Sequence, residues 1–225
     1  TRSHAQPFVA AGVLDPTIIH EVNELSTDFA FVSETRTGLS GRPVIVSTGR
    51  LEAVKDPLTT IEGFAQFRKA VPGAHLHLAY ATDSLLPSVR KLLTMHSIGN
   101  AVTLHGKLDL AGVESMLGRA HIFVQSSTRE VCGTAVVEAL ATGCPPVVTD
   151  IPAFRSVLGP GFARQLFPVG NPVGLSAALQ KAWSLASRSS ARARFDEALS
   201  WPVLAQQIEG VYVTSRANLS LGISG

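Results

Sequence analysis

The chain has 225 residues, of which 45% are hydrophobic and 16% are charged. This apolar content supports a substantial core and excludes an intrinsically disordered chain, which would be poor in apolar residues and rich in net charge. The 19 basic and 17 acidic side chains leave a net charge of +2, too small to indicate a nucleic-acid partner or an anionic membrane surface.

The two cysteines, Cys132 and Cys144, are too few for a disulfide scaffold or for a zinc site built from cysteines. No apolar run reads as a transmembrane helix, and no signal peptide opens the sequence. We therefore expect a cytoplasmic protein in a reducing compartment. Because the sequence begins at Thr1 rather than at Met, we also expect it to be a piece of a longer protein.

The first 42 residues differ in character from the rest of the chain. A helix-prone apolar patch spans 7–12, and a strand-like run spans 18–22. The stretch 26–42 carries Ser, Thr and Gly with few large apolar groups, which is typical of a linker.

From residue 43 onward, short β-branched runs alternate with stretches of helical periodicity. The pattern predicts strands at 44–48, 75–80, 101–105, 121–125, 146–149 and 164–167. It predicts helices at 57–71, 87–96, 113–120, 133–141, 173–186 and 201–212. Such alternation with nearly continuous apolar strands predicts a doubly wound, Rossmann-like α/β domain with a parallel sheet over 43–186. Residues 187–225 are then a carboxy-terminal helical segment and tail, whose Arg- and Ser-rich run 187–194 we interpret as a solvated connection.

Two common phosphate-binding motifs are absent from the sequence. It contains neither the G-x-x-x-x-G-K-[S/T] loop of simple ATPases nor the G-x-G-x-x-G turn of nicotinamide dehydrogenases. Both enzyme classes are therefore disfavoured. Open parallel sheets bind ligands beyond the carboxyl ends of their strands, so we expect the chemistry of this chain there.

The strongest local motif spans 127–143, between the fourth predicted strand and the helix after it. Gly133 and Thr134 at the start of that helix can offer backbone N–H groups to a phosphate, assisted by the helix dipole. Glu130 in the loop and Glu138 in the helix can border one crevice and accept from the hydroxyls of a ribose and a hexose, which fits a nucleotide sugar. The alternative is that Glu130 caps the helix and Glu138 faces solvent, but the apolar neighbours of Glu138 argue against it.

A second motif follows the first predicted strand. Arg50 offers a planar fork for phosphate oxygens, and Lys55 offers a point charge. Taken alone, both are more typical of ordinary surface charges. Because the glutamate motif follows another strand end of the same sheet, we expect the two motifs to face one crevice.

Together these motifs resemble the retaining nucleotide-sugar glycosyltransferases of family 4, also called group 1. The resemblance rests on Arg50-x4-Lys55 and, 75 residues after Lys55, on Glu130-x7-Glu138 with Gly133 inside it. The run Gly-Cys-Pro-Pro-Val-Val-Thr-Asp at 143–150 is also similar to the family pattern, and the likeness extends over about 43–212. The family has the GT-B fold of two Rossmann-like domains, which implies that this chain is the carboxy-terminal half.

The resemblance also implies a role for each matching residue. Arg50 and Lys55 would neutralise the leaving diphosphate and Glu130 would contact the transferred sugar, which makes these three the catalytic candidates. Glu138 would bind the ribose, and the base would lie near the second and third strands. The donor-binding candidates are Gly49, Ala79, His105, Val131, Cys132, Gly133, Thr134 and Glu138. The donor is a nucleotide-diphosphate sugar, and no metal or other cofactor is expected.

A GT-B enzyme binds its acceptor with an amino-terminal domain that 42 residues cannot build. We therefore expect 1–42 to be a remnant of that domain and the interdomain linker, and the chain by itself to be an inactive donor-binding half of a bacterial-type hexosyltransferase. Membrane association would come only through the missing half. A related GT-B nucleotide-sugar epimerase and a non-catalytic nucleotide-binding module remain as alternatives. His75 and His77 share a strand face but lack a third ligand, so we expect packing or surface placement rather than metal binding.

Overall fold

The structure is a computed structural model of the chain that describes residues 2–20, 22, 26–32, 38–185 and 187–222, with side chains described from residue 5 to residue 216 of these ranges. Its strands are Val44–Gly49 (β1), His75–Tyr80 (β2), Val102–Gly106 (β3), Ile122–Gln125 (β4), Pro146–Thr149 (β5) and Leu166–Phe167 (β6). They form one sheet in the order β3-β2-β1-β4-β5-β6, and each neighbouring pair is parallel. The doubly wound parallel sheet is therefore confirmed.

The helices lie on both faces of this sheet. Along the chain they are Arg2–Ala10 (α1), Pro57–Ala70 (α2), Leu86–Met95 (α3), Leu110–Arg119 (α4), Thr134–Ala141 (α5), Pro152–Leu158 (α6), Pro172–Leu185 (α7), Arg188–Ala198 (α8) and Trp201–Gly222 (α9). Short 3₁₀ turns occur at Pro16–Ile18, Ala53–Lys55, Gly99–Ala101 and Pro160–Gln165. None of the described helices is both long enough and apolar enough to cross a bilayer.

Alternating residues of the strands divide the core into two layers. Val44, Val46 and Phe123 face α4, α5, α6 and α8, whereas Ile45, Leu76 and Val124 face α2, α3 and α7. The strands are buried on both faces because helices cover both, which explains their nearly continuous apolar sequence. The strand order reverses between β1 and β4, and that reversal opens a crevice beyond their carboxyl ends.

The segment predicted as a linker packs against this core in its described part. Phe29 is buried in the same layer as α5 and α8, and Leu39 packs against that layer. Ala191 and Phe195 of α8 lie in the same layer too. The described part of the linker and helix α8, both outside 43–186, therefore contribute side chains to the core of the predicted domain.

Several local predictions differ from the structure. Helix α6 was not predicted, although Pro152 occupies its first turn and four apolar residues behind it are buried. The predicted strand 164–167 is shortened, because Arg164 and Gln165 belong to the preceding 3₁₀ turn. The described part of the strand-like run 18–22 is not a strand, since Asp15 caps a 3₁₀ turn that ends at Ile18; residue 21 lies outside the described residues.

The prediction of a solvated connection at 187–194 is wrong. Arg188 donates to the carbonyls of Val32, Ala120 and Thr142, with the first two bonds at 2.8 and 3.1 Å. Two further arginines follow the same pattern: Arg192 donates to Ala141 O at 2.8 Å, and Arg194 donates to Ser156 O and Val157 O at 3.0 and 2.8 Å. Apart from Val32 O, these carbonyls belong to the last turns of α4, α5 and α6 or to the residues just after them, where helices leave carbonyls unsatisfied. The arginines of α8 thus cap three helices.

Candidate active site

The crevice is walled by the loops that follow β1 and β4. The two loops are joined at their backbones, because Thr128 N donates to Val54 O at 2.9 Å. A parallel sheet places the ends of β1 and β4 at the same edge, so side chains from both loops meet there.

Lys55 and Glu130 form an ion pair across this junction, from Lys55 Nζ to Glu130 Oε1. Only 21% of the Lys55 side chain and 12% of the Glu130 side chain are exposed, so the pair is largely withdrawn from solvent. The predicted convergence of the two motifs therefore holds for these two residues. A shielded pair of this kind is stronger than one on an open surface.

Two buried polar residues hold the carboxylate of Glu130 in place. Gln125 Nε2 donates to Glu130 Oε1 at 2.8 Å, and Ser127 Oγ donates to the same oxygen at 2.7 Å. Gln125 Nε2 also approaches Ser127 Oγ at 3.0 Å. With Lys55, three donors converge on one oxygen and fix the direction of the carboxylate. Neither Gln125 nor Ser127 was among the predicted site residues.

The backbone before α2 sets the position of Lys55. Lys55 ends a 3₁₀ turn, and Asp56 after it adopts a left-handed conformation with φ 44°. Asp56 tolerates this conformation better than most residues, and its carboxylate caps α2 by accepting from Thr59 N at 3.2 Å and Thr59 Oγ1 at 2.6 Å. Pro57 then occupies the first turn of the helix. The sharp turn directs Lys55 toward β4.

Arg50 points toward solvent rather than toward the ion pair. Its Nη1 lies 3.2 Å from Glu52 Oε2, and 51% of its side chain is exposed. Glu52 is held in turn by Thr82, whose Oγ1 donates to its other carboxylate oxygen at 3.1 Å. Arg50 still borders the same depression as Lys55, which has a volume of about 20 Å³. Of the predicted residues, Gly49, Arg50, Lys55 and Ala79 line it, together with Gln125.

The start of α5 forms the other predicted part of the site. Gly133 precedes the helix with φ 74°, a conformation that favours glycine, and a Cβ there would lie 3.0 Å from the ring of Phe154. Glycine is therefore required at this turn. Val131 and Thr134 are exposed and Cys132 is half-buried, so this loop presents backbone and small side chains. The first N–H groups of α5 have no partner within the helix.

Glu138 lies in the second turn of α5 and is half-buried. Burial raises the pKa of this carboxyl group from 4.5 to about 7, because the charged form loses hydration. Near neutral pH, Glu138 therefore exists in both protonation states. A half-buried carboxyl group with a perturbed pKa is typical of functional positions.

His105 lies apart from the depression that Arg50 and Lys55 border. Its Nε2 is 3.0 Å from His77 Nδ1, and His77 Nε2 is 3.0 Å from Ser40 O. His75 stacks on His77 with ring centroids 4.6 Å apart and binds Thr103 Oγ1 at 2.8 Å. These contacts agree with packing for His75 and His77. Among the residues that the structure describes, no group of three or more His, Cys, Asp or Glu side chains is arranged to hold a metal.

The family of the chain is decided by its match to a family model. The model for glycosyl transferases group 1 matches residues 33–199, which include both loops of the crevice. The chain belongs to this family. The group 1 resemblance drawn from Arg50, Lys55, Glu130 and Glu138 is therefore confirmed at the level of the family.

Among curated proteins, this glycosyltransferase is 30% identical over 195 residues to the phosphatidyl-myo-inositol mannosyltransferase of Propionibacterium freudenreichii. The match covers 80% of this chain and 49% of the relative. The chain thus spans about half the length of this relative. It matches a smaller share of the corresponding mannosyltransferases of Mycolicibacterium smegmatis and Mycobacterium leprae.

Two solved structures show the same fold. S. aureus TarM, a mutant in complex with fondaparinux, α-GlcNAc-glycerol and UDP, matches with a TM-score of 0.75 at 15% identity, over 94% of this chain and 42% of that chain. Anabaena HepE in complex with UDP and glucose matches with a TM-score of 0.65 at 19% identity, over 76% of this chain and 48% of that one. At these identities the likeness concerns the fold, which is that of GT-B glycosyltransferases.

The buried partners of Glu130 were missed because no motif marks them. Gln125 is the last residue of an otherwise apolar strand, and only 4% of it is exposed. A polar residue at the end of a buried strand, beside the ligand edge of the sheet, is the one signal that could have indicated it. Ser127 lies in a run of small polar residues and carries no such signal.

Proposed function

We propose that this group 1 glycosyltransferase is the donor-binding half of a retaining enzyme that transfers a sugar from a nucleotide-diphosphate sugar. The contact of Lys55 with Glu130 beside the start of α5 is the observation that carries the proposal. At the edge of the sheet formed by the carboxyl ends of the strands, a cation and a carboxylate therefore lie beside the N–H groups at the start of α5. A diphosphate needs the cation and the N–H groups, and a sugar needs the carboxylate.

The solved relatives support a nucleotide sugar as the ligand. TarM and HepE are each described in complex with UDP, and HepE also with glucose. The curated relatives that match this chain include several phosphatidyl-myo-inositol mannosyltransferases. We therefore propose a hexose donor and would test mannose conjugates first.

Lys55 and Arg50 would stabilise the leaving diphosphate. The bond between sugar C1 and the phosphate oxygen breaks, and the electron pair stays on the diphosphate. Lys55 would turn from Glu130 toward the developing charge. Arg50, which is exposed and paired with nearby Glu52, would move in from the rim of the crevice. Charge stabilisation by prepositioned donors is a large contribution to catalysis of this kind. Two cations and the helix N–H groups supply that charge, so we propose no metal.

Glu130 would bind the hydroxyls of the transferred sugar, and Glu138 those of the ribose. With Lys55 turned away, Glu130 keeps one oxygen for Gln125 and Ser127, and its second oxygen would accept from the sugar. In the retaining pathway, the acceptor oxygen bonds to C1 on the face from which the diphosphate leaves. The acceptor proton passes to the departing phosphate oxygen. Val131, Cys132 and Thr134 would border the sugar and the phosphates.

The acceptor would be bound by a second domain outside these 225 residues. The chain spans 49% of its P. freudenreichii relative, which leaves room for such a domain in a protein of that length. By itself, the chain should bind the donor but transfer no sugar.

The test is calorimetric titration of the chain with UDP, GDP and ADP and with their mannose and glucose conjugates. We expect one nucleotide to bind and its sugar conjugate to bind more tightly. Glu138→Gln should weaken both, because a neutral amide accepts from the ribose less well. Failure of every nucleotide to bind would refute the proposal. Sugar transfer or epimerisation by the chain alone would refute its description as a donor-binding half.

A further inference from the structure

A second cavity, of about 380 Å³, lies far from the crevice. It is lined by Pro145 before β5, by the 3₁₀ turn before β6, by the last turns of α7 and by the start of α8. These segments adjoin the amino ends of β5 and β6, whereas the crevice lies beyond the carboxyl ends of β1 and β4. In a parallel sheet the two ends are on opposite sides of the domain, so the cavity is a separate site.

The charged groups that line this cavity in the described part of the chain are positive. They are Arg164 and Lys181, and no carboxylate of the described residues lines it. Neither cation forms an ion pair with a carboxylate of the described residues. Ser187 and Ser190 add hydroxyl groups where α8 begins, and a helix start favours negative charge. The polar side of the cavity therefore suits an anion.

The rest of the cavity wall is largely uncharged. Gln165 lines it beside Arg164, although its Oε1 is buried away from the cavity. Phe162, Ala182 and Leu185 form an apolar wall. A volume of this size, with few polar groups on an apolar wall, is typical of sites for small organic molecules.

We propose that this cavity binds a small organic phosphate monoester. Arg164 and Lys181 would bind the phosphate, Ser187 and Ser190 would donate to it, and the apolar wall would contact the organic part. This binding site goes beyond the proposed sugar transfer. Residues of β5, α7 and α8 belong to the core layers beneath the crevice. A ligand in this cavity would therefore contact the domain on the side opposite the proposed donor site.

The test is a titration of the ¹⁵N-labelled chain with glycerol 3-phosphate, followed by amide NMR shifts, with glycerol and inorganic phosphate as separate probes. We expect saturable shifts at 161–165 and 187–190, weaker binding of inorganic phosphate, and none of glycerol. The double variant Arg164→Met/Lys181→Met should weaken binding at least about ten-fold. Arg90→Met/Lys91→Met removes the same charge from the exposed face of α3 and should change nothing.

The proposal would be overturned if glycerol 3-phosphate gave no saturable shifts, or if both double variants weakened binding equally. Displacement by a nucleoside diphosphate would also overturn it, because that ligand belongs to the crevice. Failure of nucleotides to bind at the crevice, with glycerol 3-phosphate still bound here, would refute the proposed sugar transfer and leave this site standing.

Discussion

The side chain of Lys55 reaches Glu130, which lies 75 residues later in the chain, and joins the loop after β1 to the loop after β4. The Glu130 oxygen that it contacts also accepts from Gln125 and Ser127. This network sets both the direction of the carboxylate and the resting position of the cation. It gives Gln125 and Ser127 a positioning role at the sugar end of the proposed donor site.

Removing the side chains that donate to Glu130 should weaken binding of the nucleotide sugar more than binding of the nucleoside diphosphate. In Gln125→Met and Ser127→Ala, Glu130 loses one donor and its carboxylate can turn. We expect the nucleotide sugar to bind about three- to ten-fold more weakly, corresponding to about 1 kcal/mol per hydrogen bond, while the nucleoside diphosphate binds as before. Parallel calorimetric titrations with the two ligands measure this difference.

Thr128→Ala is the matched control, because its hydroxyl lies in the same loop but bonds to Val54 O at 3.3 Å rather than to Glu130. It should bind both ligands like the wild type. Equal weakening of the nucleotide and the nucleotide sugar by Ser127→Ala would show that the serine supports the loop rather than Glu130.

The half-buried carboxyl group of Glu138 should lower the free energy of unfolding as the pH rises. Its pKa is raised to about 7 in the folded protein from 4.5, so the folded state binds more protons between these values and stability falls as the pH rises through them. Glu138→Gln removes this penalty. Relative to the wild type, we expect the variant to gain on the order of 1 kcal/mol between pH 4.5 and pH 8, after allowance for partial exposure. Urea unfolding at both pH values tests this, and a constant difference between the two proteins would contradict it.

The histidine cluster should destabilise the fold at acid pH. Burial and neighbouring positive charge lower the pKa of His75 from 6.5 to about 4, and burial also lowers the pKa values of His77 and His105. The unfolded chain therefore binds more protons below pH 6.5, and stability is lost as the pH falls toward 4. Arg68 adds positive charge from α2, which increases the cost of protonating His75.

His75→Gln should make the unfolding free energy less dependent on pH between 6.5 and 4. We expect the variant to lose less stability over this range than the wild type, by a few tenths to about 1 kcal/mol. His96→Gln, on an exposed residue after α3, is the control and should follow the wild type. The account of the cluster fails if His75→Gln and the wild type lose stability in parallel.

Replacement of Arg188 should lower the free energy of unfolding more than replacement of most other residues outside the site. Replacement by Met leaves the carbonyls of Val32, Ala120 and Thr142 without this donor in a partly buried environment. We expect a loss of about 2–4 kcal/mol in the free energy of unfolding, since several polar groups are left unsatisfied at once. Arg90→Met, on the exposed side of α3, should cost less than about 0.5 kcal/mol. Similar losses in the two variants would show that the carbonyl contacts contribute little.

The sheet and most of its helices could be predicted because each is marked locally. The runs at β1 and β5 are short, apolar and β-branched, and Pro57 marks the beginning of α2. Parallel strands place their carboxyl ends at one edge, which is why the meeting of Lys55 and Glu130 could be predicted without any contact information. Helix α6 was missed because its seven residues are too few for a clear helical period.

Other features depend on partners distant in the sequence. The arginines of α8 were predicted to be solvated because the sequence shows their charge but not the backbone carbonyls that accept from them. The carbonyls that Arg188 binds lie 46, 68 and 156 residues away in the chain. Arg50 borders the depression, but its pairing with Glu52, only two residues away, was not predicted. The contact of His105 with His77 on the adjacent strand was not predicted either.

The measurement that tests the account most directly is the affinity of Lys55→Met for the nucleoside diphosphate that the wild type binds, compared with that of Lys91→Met. Both changes remove one lysine charge, but Lys91 lies exposed on α3, away from the crevice. We predict a loss of at least about ten-fold for Lys55→Met and none for Lys91→Met. Wild-type affinity in Lys55→Met would contradict the assignment of this lysine to the donor diphosphate.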